Sequence, residues 1–436
     1  FENLHQAEDS LTAGAISAAG LTSVEAVDDL TVVYHLDEPN AAFPDLLTGR
    51  VGMPVSPTAF QEMGRDAFGS RPVGTGPFMV QNWTPDDRIT LTRNPDYWME
   101  DEFGNQLPYL DEVEFRPLPD EDSRFQSLMA DDVQIIQTTR GYAGKRLVDA
   151  ANDGGFAVNP ATGNIAGASI FNLAQPPLDD LRVRTALIMA ASSDDIAVAQ
   201  GYDGITSPAT QFTSVDSPWY SSAAAESYLG GEGDIEGATA LLEEYINDPN
   251  RSDGLAPGSR LSVRYQCPPE PSLQDMAQVL QAAWGDIGVD VELVSVEQPT
   301  LIANVIGNAD NQLLGDYDIS CWRVGTNDDP LAYVQNYFGP VESTVTNFVN
   351  FTDPEIDELL VTLRESPDFS ERYAALEQIN IINNKNATTA WHISYVSTIG
   401  WRDDLRGVDT YKQASGNLGR GNNAGFIPVR SIWLAS

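Results

Sequence analysis

The sequence predicts an α/β protein with more than one domain, and three observations lead to this prediction. First, a chain of 436 residues is longer than one hydrophobic core usually serves, so two or three domains are expected. Second, residues 261–322 alternate between strand-like and helix-like segments, as parallel sheets do. Third, residues 78–138 follow the order hairpin, strand, helix, strand, which is typical of an α/β lobe.

Hydrophobic periodicity and turn residues predict the individual elements. Asp353 and Ser370 are predicted to cap two helices. A long loop is expected over 206–233, which is rich in Ser, Pro and Gly. The predicted strands are 25–27, 30–36, 78–83, 88–93, 110–117, 133–138, 168–172, 261–266, 289–296, 316–322, 390–399 and 431–435. The predicted helices lie within 39–52 and 57–63 and at 122–129, 181–191, 236–246, 272–285, 353–364 and 370–383.

The chain is strongly acidic, with 64 Asp and Glu residues against 24 Lys and Arg and a formal net charge of −40. This charge argues against nucleic acid and anionic membrane surfaces as partners, because a phosphate backbone requires neutralising cations. Two interpretations of the acidity stay open. It suits a protein that works in salt or needs solubility, and it would also attract cationic ligands.

The two cysteines, Cys267 and Cys321, lie at the ends of two predicted strands. If these strands are neighbours in the sheet, the two thiols are close enough for a disulfide, which we take as a hypothesis. The alternative is a pair of free buried thiols. A single possible pair leaves the redox compartment open.

The sequence lacks the motifs of common cofactor and catalytic sites. The three histidines have no partner at metal-ligand spacing, so no metal and no other cofactor is predicted. Gly74 and Gly76 are assigned to a structural turn, because a strand follows them and a phosphate-binding loop would precede a helix. Adjacent carboxylates are frequent but usually mark solvated turns, so no catalytic residue is assigned. A secreted acid hydrolase with a pair of facing Asp residues is the alternative function.

The stretch from Gly315 to Pro330 combines the features of a small-molecule cleft. A strand is predicted over 316–322, ending at the large flat ring of Trp322, and a polar loop follows. An aromatic platform beside convergent polar groups at the C-terminal end of a strand is a common ligand site. An ordinary strand-to-helix loop whose Trp packs in the core is the alternative. The predicted ligand-binding residues here are Trp322, Arg323, Thr326, Asn327 and Asp328.

Several motifs in this chain are specific enough to point to a known family. They are VGTGPF at 73–78, W-x-P-x-D-R at 83–88, L-x-R-N-P-D-Y-W at 91–98, LPYLDEVEF at 107–115, FNLAQPPLDDLRVRTAL at 171–187 and NFTDPEIDELL at 350–360. Together they resemble the family 5 extracellular solute-binding proteins, which are the peptide, nickel and oligosaccharide receptors of ABC importers. The resemblance extends over essentially the whole chain.

The resemblance implies a two-lobed clamp of the type II periplasmic-binding-protein kind, with a small extra domain, that closes on its ligand by hinge motion. By analogy, residues 1–71 form the extra domain and residues 72–170 form lobe I. Residues 171–406 form lobe II, and residues 407–436 return to lobe I. Members of the family begin with a signal peptide and a first-lobe segment that do not appear here, so the chain is expected to be N-terminally truncated.

The resemblance also assigns the loop after Trp322 to the ligand site and adds Asn172 at the hinge. Peptide receptors of the family carry an Asp four residues before the proline of this loop, where it pairs with the N-terminal amine of the peptide. Here that position is Thr326, and a Thr does not neutralise an ammonium group. This difference favours an oligosaccharide or another neutral ligand. Trp322, Trp391 and Trp401 are candidates for stacking on sugars, with core packing as the alternative for the last two.

The predicted function is that of a receptor without enzymatic activity. It would capture a small ligand, an oligopeptide or an oligosaccharide, between its two lobes and deliver it to the permease subunits of an ABC transporter. We expect a monomer that works in the periplasm or outside the cell, with or without a lipid anchor.

Overall fold

The computed structural model of the protein describes residues 16–17, 19–306, 315–325, 329–339, 347–410 and 427–435. The strands in these ranges are β1 Leu21–Asp28, β2 Thr31–Leu36, β3 Phe78–Thr84, β4 Arg88–Arg93, β5 Glu112–Phe115, β6 Ile135–Thr138, β7 Phe156–Phe171, β8 Leu261–Cys267, β9 Val289–Ser295, β10 Ile319–Gly325, β11 Thr389–Arg402, β12 Leu405–Arg406 and β13 Trp433–Leu434.

The α-helices in the same ranges are α1 Phe43–Leu46, α2 Pro57–Met63, α3 Arg65–Ser70, α4 Glu121–Met129, α5 Gly141–Asn152, α6 Leu181–Ala190, α7 Ser193–Ala199, α8 Ser222–Glu226, α9 Ile235–Ile246, α10 Pro271–Asp286, α11 Gln298–Ile306, α12 Leu331–Phe338, α13 Pro354–Glu365 and α14 Phe369–Lys385. Short 3-10 helices lie at Arg50–Gly52 and Val429–Ser431.

A six-stranded sheet in the order β6-β11-β7-β10-β8-β9 is the centre of the fold. β8 pairs in parallel with both β9 and β10, as the alternation of strands and helices over 261–322 predicts. β7, β11 and β6 run antiparallel to their neighbours, so the parallel arrangement is confined to the predicted unit and the sheet as a whole is mixed. The antiparallel partners are far apart in the sequence, so local periodicity carries no information about their pairing.

Each face of this sheet is covered by a separate hydrophobic core. One core lies between the sheet and helices α6, α9 and α10, and includes Phe171, Leu187, Leu242, Tyr265 and Trp284. The other includes Phe212, Tyr337, Leu376 and Trp391. Trp391 is fully buried and Trp401 nearly so, which places both rings in the protein interior.

Smaller sheets lie outside the centre. β1 and β2 form a hairpin, and β3, β4 and β5 form a three-stranded antiparallel sheet, which confirms both predicted hairpins. Gly74 forms a β-bridge with Val55, and a side chain at Gly74 would come within 2.9 Å of the carbonyl oxygen of Pro54. This close approach of two backbone segments explains the glycine and agrees with its assignment to a structural turn.

Two examples show where local predictions differ from the structure. The predicted loop 206–233 contains the helix α8, whose N-cap Ser221 accepts a hydrogen bond from the amide of Ala224. Ser370 does not cap α14; Asp368 does so by accepting the amides of Ser370 and Glu371, since its carboxylate binds two otherwise free N–H groups.

The division of the chain into an extra domain and two lobes stays a prediction. β7 ends at Phe171, at the proposed boundary between lobe I and lobe II, and pairs with β10 on one side and β11 on the other. Residues 156–170, assigned to lobe I, therefore belong to the same sheet as strands assigned to lobe II.

Candidate functional site

A disulfide joins Cys267 at the end of β8 to Cys321 in β10, which confirms the hypothesis of a cross-link between neighbouring strands. The two Cα atoms are 5.0 Å apart. The ladder between β8 and β10 pairs Ile319 with Tyr265 and Ser320 with Gln266. The disulfide therefore cross-links the two strands directly after their last paired residues.

β10 begins and ends three residues later than the sequence predicts. The carboxylate of Asp318 accepts the backbone N–H of Arg264 at 2.8 Å and a guanidinium N–H of the same residue at 3.0 Å, so Asp318 binds the neighbouring strand with its side chain. At the other end, β7 pairs with β10 as far as Gly325. Arg323, predicted as the first loop residue, is a strand residue.

The second half of β10 has one open edge. β7 covers one side of the strand over its whole length, whereas β8 pairs only with its first two residues. In the described part of the chain, no strand pairs with that side of β10 from Cys321 to Gly325. Backbone N–H and C=O groups of a strand edge are ready to pair with another extended chain.

A cavity of about 300 Å³ lies at this open edge, beyond the C-terminal end of β8. Two of the predicted site residues, Trp322 and Arg323, line it. The position agrees with the rule that ligands bind outside the carboxyl ends of parallel strands. The other lining residues are Ile165, Pro268, Leu273, Gln298, Leu301, Ile302, Cys321, Gly325 and Tyr333.

Trp322 is partly buried and forms part of the cavity wall. Its ring packs against Phe348 with the centroids 5.1 Å apart and the planes tilted by 59°. Its indole N–H is buried, and among the described residues it has no hydrogen-bond partner. A buried donor without a partner is costly, so a ligand acceptor at this position would stabilise the site.

The predicted site residues Thr326, Asn327 and Asp328 lie outside the described residues. The C-terminal base of their loop is fixed by Asp329, whose side chain is nearly buried. Asp329 forms an ion pair with Arg372 at 2.6 Å and accepts the amide of Leu331 at 3.0 Å. The segment that follows residue 328 therefore begins at a side chain held by an ion pair and a hydrogen bond.

Asn172 is fully buried and bonded within the protein. Its amide nitrogen donates to the carbonyl oxygen of Tyr317 at 3.0 Å, and its oxygen accepts from Asn350 at 2.9 Å. These contacts favour a structural role, in which Asn172 holds the chain that leads into β10. Ligand binding by Asn172 stays a prediction.

Two tyrosines lie within electrostatic reach of Arg323. Burial raises the pKa of the Tyr202 and Tyr395 phenols, and the positive charges of Arg323 and Arg140 act in the opposite direction on both. The two rings meet edge to face with their centroids 5.7 Å apart. Both phenols stay protonated at neutral pH and serve as neutral hydrogen-bonding groups.

The described ranges contain no cluster of three or more His, Cys, Asp or Glu residues arranged to hold a metal ion. They also contain no helix with the length and apolar character needed to cross a membrane.

Sequence reasoning missed the cavity residues that come from other elements. Pro268 and Leu273 follow β8, and Gln298, Leu301 and Ile302 follow β9. The signal that would have found them is their position just after the strands of the parallel unit, where ligand sites form. Tyr333 and Ile165 carry no comparable signal, because long-range packing brings them to the cavity.

Comparison with known proteins identifies the family of this chain. Residues 3–344 match the family model described as bacterial extracellular solute-binding proteins, family 5. The chain belongs to this family, as its motifs predict.

Individual relatives agree with the family assignment. Di/tripeptide-binding protein 3 of Pseudomonas aeruginosa is 28% identical over 372 residues, covering 82% of this chain and 63% of the relative. Among solved structures, the ABC transporter substrate-binding protein CtaP of Listeria monocytogenes matches with a TM-score of 0.77 at 20% identity, covering 100% of this chain and 82% of that one. DppA of Helicobacter pylori, in complex with the peptide STSA, matches with a TM-score of 0.69 at 19% identity, covering 97% and 76%.

Two consequences follow from these matches. The predicted fold class, an α/β two-lobed clamp of the periplasmic-binding-protein type, is confirmed. The chain also spans less than two thirds of the length of the Pseudomonas relative.

Proposed function

We propose that this protein is an extracytoplasmic receptor that captures a small solute between its two lobes and delivers it to the permease of an ABC transporter. Family membership supports the class of protein. The cavity at the end of β8 supports the place of binding, with Trp322 and Arg323 in its wall. The receptor would act as a monomer, and Thr326, Asn327 and Asp328 would complete the site from the adjoining loop.

The open edge of β10 is the observation that favours an oligopeptide as the ligand. An extended peptide pairs with a strand edge through its backbone, which gives affinity without dependence on its side chains. Cys321–Gly325 offers such an edge directly at the cavity. Two similar proteins are a di/tripeptide-binding protein and a protein solved with a peptide, which agrees with this choice.

An oligosaccharide is the second candidate, and it is favoured by Trp322 and Thr326. The ring of Trp322 in the cavity wall is a surface on which a sugar can stack. Thr326 lacks the negative charge that would pair with the amine of a peptide. In a peptide complex, an acid elsewhere in the site must therefore neutralise the amine.

The disulfide supports a location outside the cytoplasm. Disulfides persist in oxidising compartments such as the periplasm and the cell surface, and reducing agents remove them in the cytosol. The bond between Cys267 and Cys321 fits the description of the family as extracellular.

The hydrolase alternative has less support, because the adjacent acids have structural partners. Asp180 caps α6 and pairs with Arg182 at 2.7 Å. Asp329 pairs with Arg372, and Asp87 pairs with Arg88 at 3.1 Å. None of these carboxylates is held as a catalytic pair would be, facing a second acid across a substrate.

A thermal-shift screen tests the proposal. The protein is incubated with short peptides, neutral oligosaccharides and metal chelates, and its unfolding temperature is measured. A ligand at ~100 times its dissociation constant adds about 2.7 kcal/mol of stability, which is a visible shift. We expect peptides to give the shift and to be recovered intact. A shift with sugars alone would reject the peptide assignment, and conversion of a ligand into product would reject the receptor.

A further inference from the structure

The sequence contains four Asn-x-Ser/Thr motifs whose middle residue is not proline, and they begin at Asn82, Asn250, Asn350 and Asn386. In proteins that leave the cytoplasm this motif is the acceptor of N-linked glycans. The disulfide and the family description both support such a location for this chain. A motif of three residues also arises by chance, so the structure has to separate acceptors from coincidences.

Two of the four motifs are held inside the protein. The side-chain amide of Asn350 donates to the side-chain oxygen of the fully buried Asn172 at 2.9 Å. The side-chain amide of Asn386 donates to the carbonyl oxygen of Ile382 at 2.9 Å, and the hydroxyl residue of its motif, Thr388, has no exposed surface. A glycan on either asparagine would have to enter packed protein, so neither motif is an acceptor in this fold.

The motif at Asn82 is exposed but lies within a paired strand. Asn82 is opposite Thr90 in the ladder between β3 and β4. Its side-chain amide donates to the hydroxyl of Thr84, the last residue of the same motif, at 3.3 Å. This motif therefore lacks the surface-loop position that is typical of an acceptor.

The motif at Asn250 meets the structural conditions of an acceptor. Asn250 is exposed and follows helix α9 in a turn, which the hydrogen bond from the backbone N–H of Arg251 to the carbonyl oxygen of Asp248 closes. The backbone N–H of Asn250 donates to the carboxylate of Asp248 at 2.8 Å. Among the described residues, however, nothing forms a hydrogen bond with the Asn250 side chain. The nitrogen that would carry a glycan thus has no structural task.

The loop that carries Asn250 is held by the neighbouring Arg251. The Arg251 side chain has no exposed surface, forms an ion pair with Asp253 at 2.7 Å and donates to the carbonyl oxygen of Ser259 at 2.8 Å. The loop leads into the N-terminal end of β8, whereas the ligand cavity lies beyond the C-terminal end of that strand. Since β8 is about 20 Å long, a glycan on this loop leaves the cavity open.

We propose that Asn250 is a site of N-linked glycosylation, with an oligosaccharide on a lipid diphosphate as the donor. The side-chain nitrogen of Asn250 forms a bond to the anomeric carbon of the first sugar, and the bond from this carbon to the diphosphate oxygen breaks. The lipid diphosphate leaves with the bonding electrons, and the amide nitrogen loses one proton. This inference rests on the location outside the cytoplasm that the proposed function includes, and it is independent of the ligand.

Mass spectrometry of the protein isolated from the cells that naturally produce it tests the proposal. Chymotrypsin places the motif at Asn250 in the peptide 246–255 and the buried motif at Asn386 in the peptide 377–391. The wild type is compared with Asn250→Gln, which lacks the acceptor, and with Ser252→Thr, which keeps the motif. Asn247→Gln is the matched control, because Asn247 is an exposed asparagine of the same peptide that does not begin a motif.

We expect the wild-type peptide 246–255 to carry sugar, with fragment ions that retain the first sugar on Asn250, and the peptide 377–391 to be unmodified. The mass increase should be lost in Asn250→Gln and retained in Asn247→Gln and Ser252→Thr. Loss in the first variant alone would assign the modification to the motif rather than to the loop.

Cell fractionation beside the mass spectrometry separates the two ways in which the inference can fail. If protein recovered from outside the cytoplasm is unmodified at Asn250, or if the peptide of Asn250→Gln still carries sugar, the inference is overturned and the proposed receptor is unaffected. If the protein is found only in the cytoplasm, the proposed function fails and the glycosylation site fails with it.

Discussion

The central sheet and the three-stranded sheet of β3, β4 and β5 differ in what covers their strands. On β11 the ring of Trp391 has no exposed surface, whereas on the smaller sheet Trp83 is 44% exposed and Phe115 is 47% exposed. Among the described residues, no side chain of the smaller sheet belongs to a buried hydrophobic cluster. The comparison teaches that alternation predicts a strand, while burial depends on the elements that pack on it.

The two tryptophans give the largest expected contrast. Trp391→Ala should lower the free energy of unfolding by about 4 kcal/mol, because it leaves a cavity against Phe212 and removes a hydrogen bond to Asn384. Trp83→Ala should cost about 1 kcal/mol or less, since its ring is half exposed. Urea unfolding followed by circular dichroism measures both. Equal losses would mean that the smaller sheet contributes a core of comparable strength.

A buried ion pair and the exposed ion pairs of the smaller sheet should show the same contrast, with smaller changes in the free energy of unfolding. Arg372→Met should cost about 3 kcal/mol, because it leaves the nearly buried Asp329 without its partner. Arg88→Met, on the smaller sheet, removes pairs with Asp87 and Glu114 that are open to solvent, and we expect a change too small to resolve.

The double variant Arg372→Met with Asp329→Leu sharpens this prediction. It should recover part of the stability, since it removes both buried charges together. The single variants Arg372→Met and Asp329→Leu are measured beside it. If the double variant loses as much stability as the two single variants together, the unpaired buried charge is not the cause of the loss in Arg372→Met.

Over the range from pH 7 to pH 5, the smallest of the three expected effects is a pH dependence that originates at His392 in the central sheet. Burial lowers the pKa of His392 to about 3, whereas in the unfolded chain it titrates near 6.5. Between these values the unfolded state binds a proton that the folded state does not. Stability should therefore fall by about 1.4 kcal/mol per pH unit as the pH decreases from 6.5 towards 3.

The variant His392→Gln isolates this contribution from that of the carboxylates. The difference in unfolding free energy between wild type and variant, measured at pH 7, 6 and 5, should change with the expected slope below pH 6.5. A difference that stays constant over this range would show that His392 does not carry the pH dependence.

Local patterns were sufficient for the parts of the site that lie on a single element. The strand that ends in the cavity and the pair of cysteines at neighbouring strand ends were predicted from spacing alone. The end of β10 was not predicted correctly, because its pairing with β7 extends it beyond Trp322. β7 lies about 150 residues earlier in the sequence. Asn172 was predicted as a ligand residue from its place at the hinge, and its buried contacts come from residues far along the chain.

The sequence by itself determined the α/β class, most of the strands and helices, and the family, since each depends on periodicity, caps and motifs within short stretches of chain. Only the tertiary structure decided that the sheet is mixed and that β10 has an open edge beside the cavity. The physical reason is that strand neighbours and burial are set by contacts between distant segments.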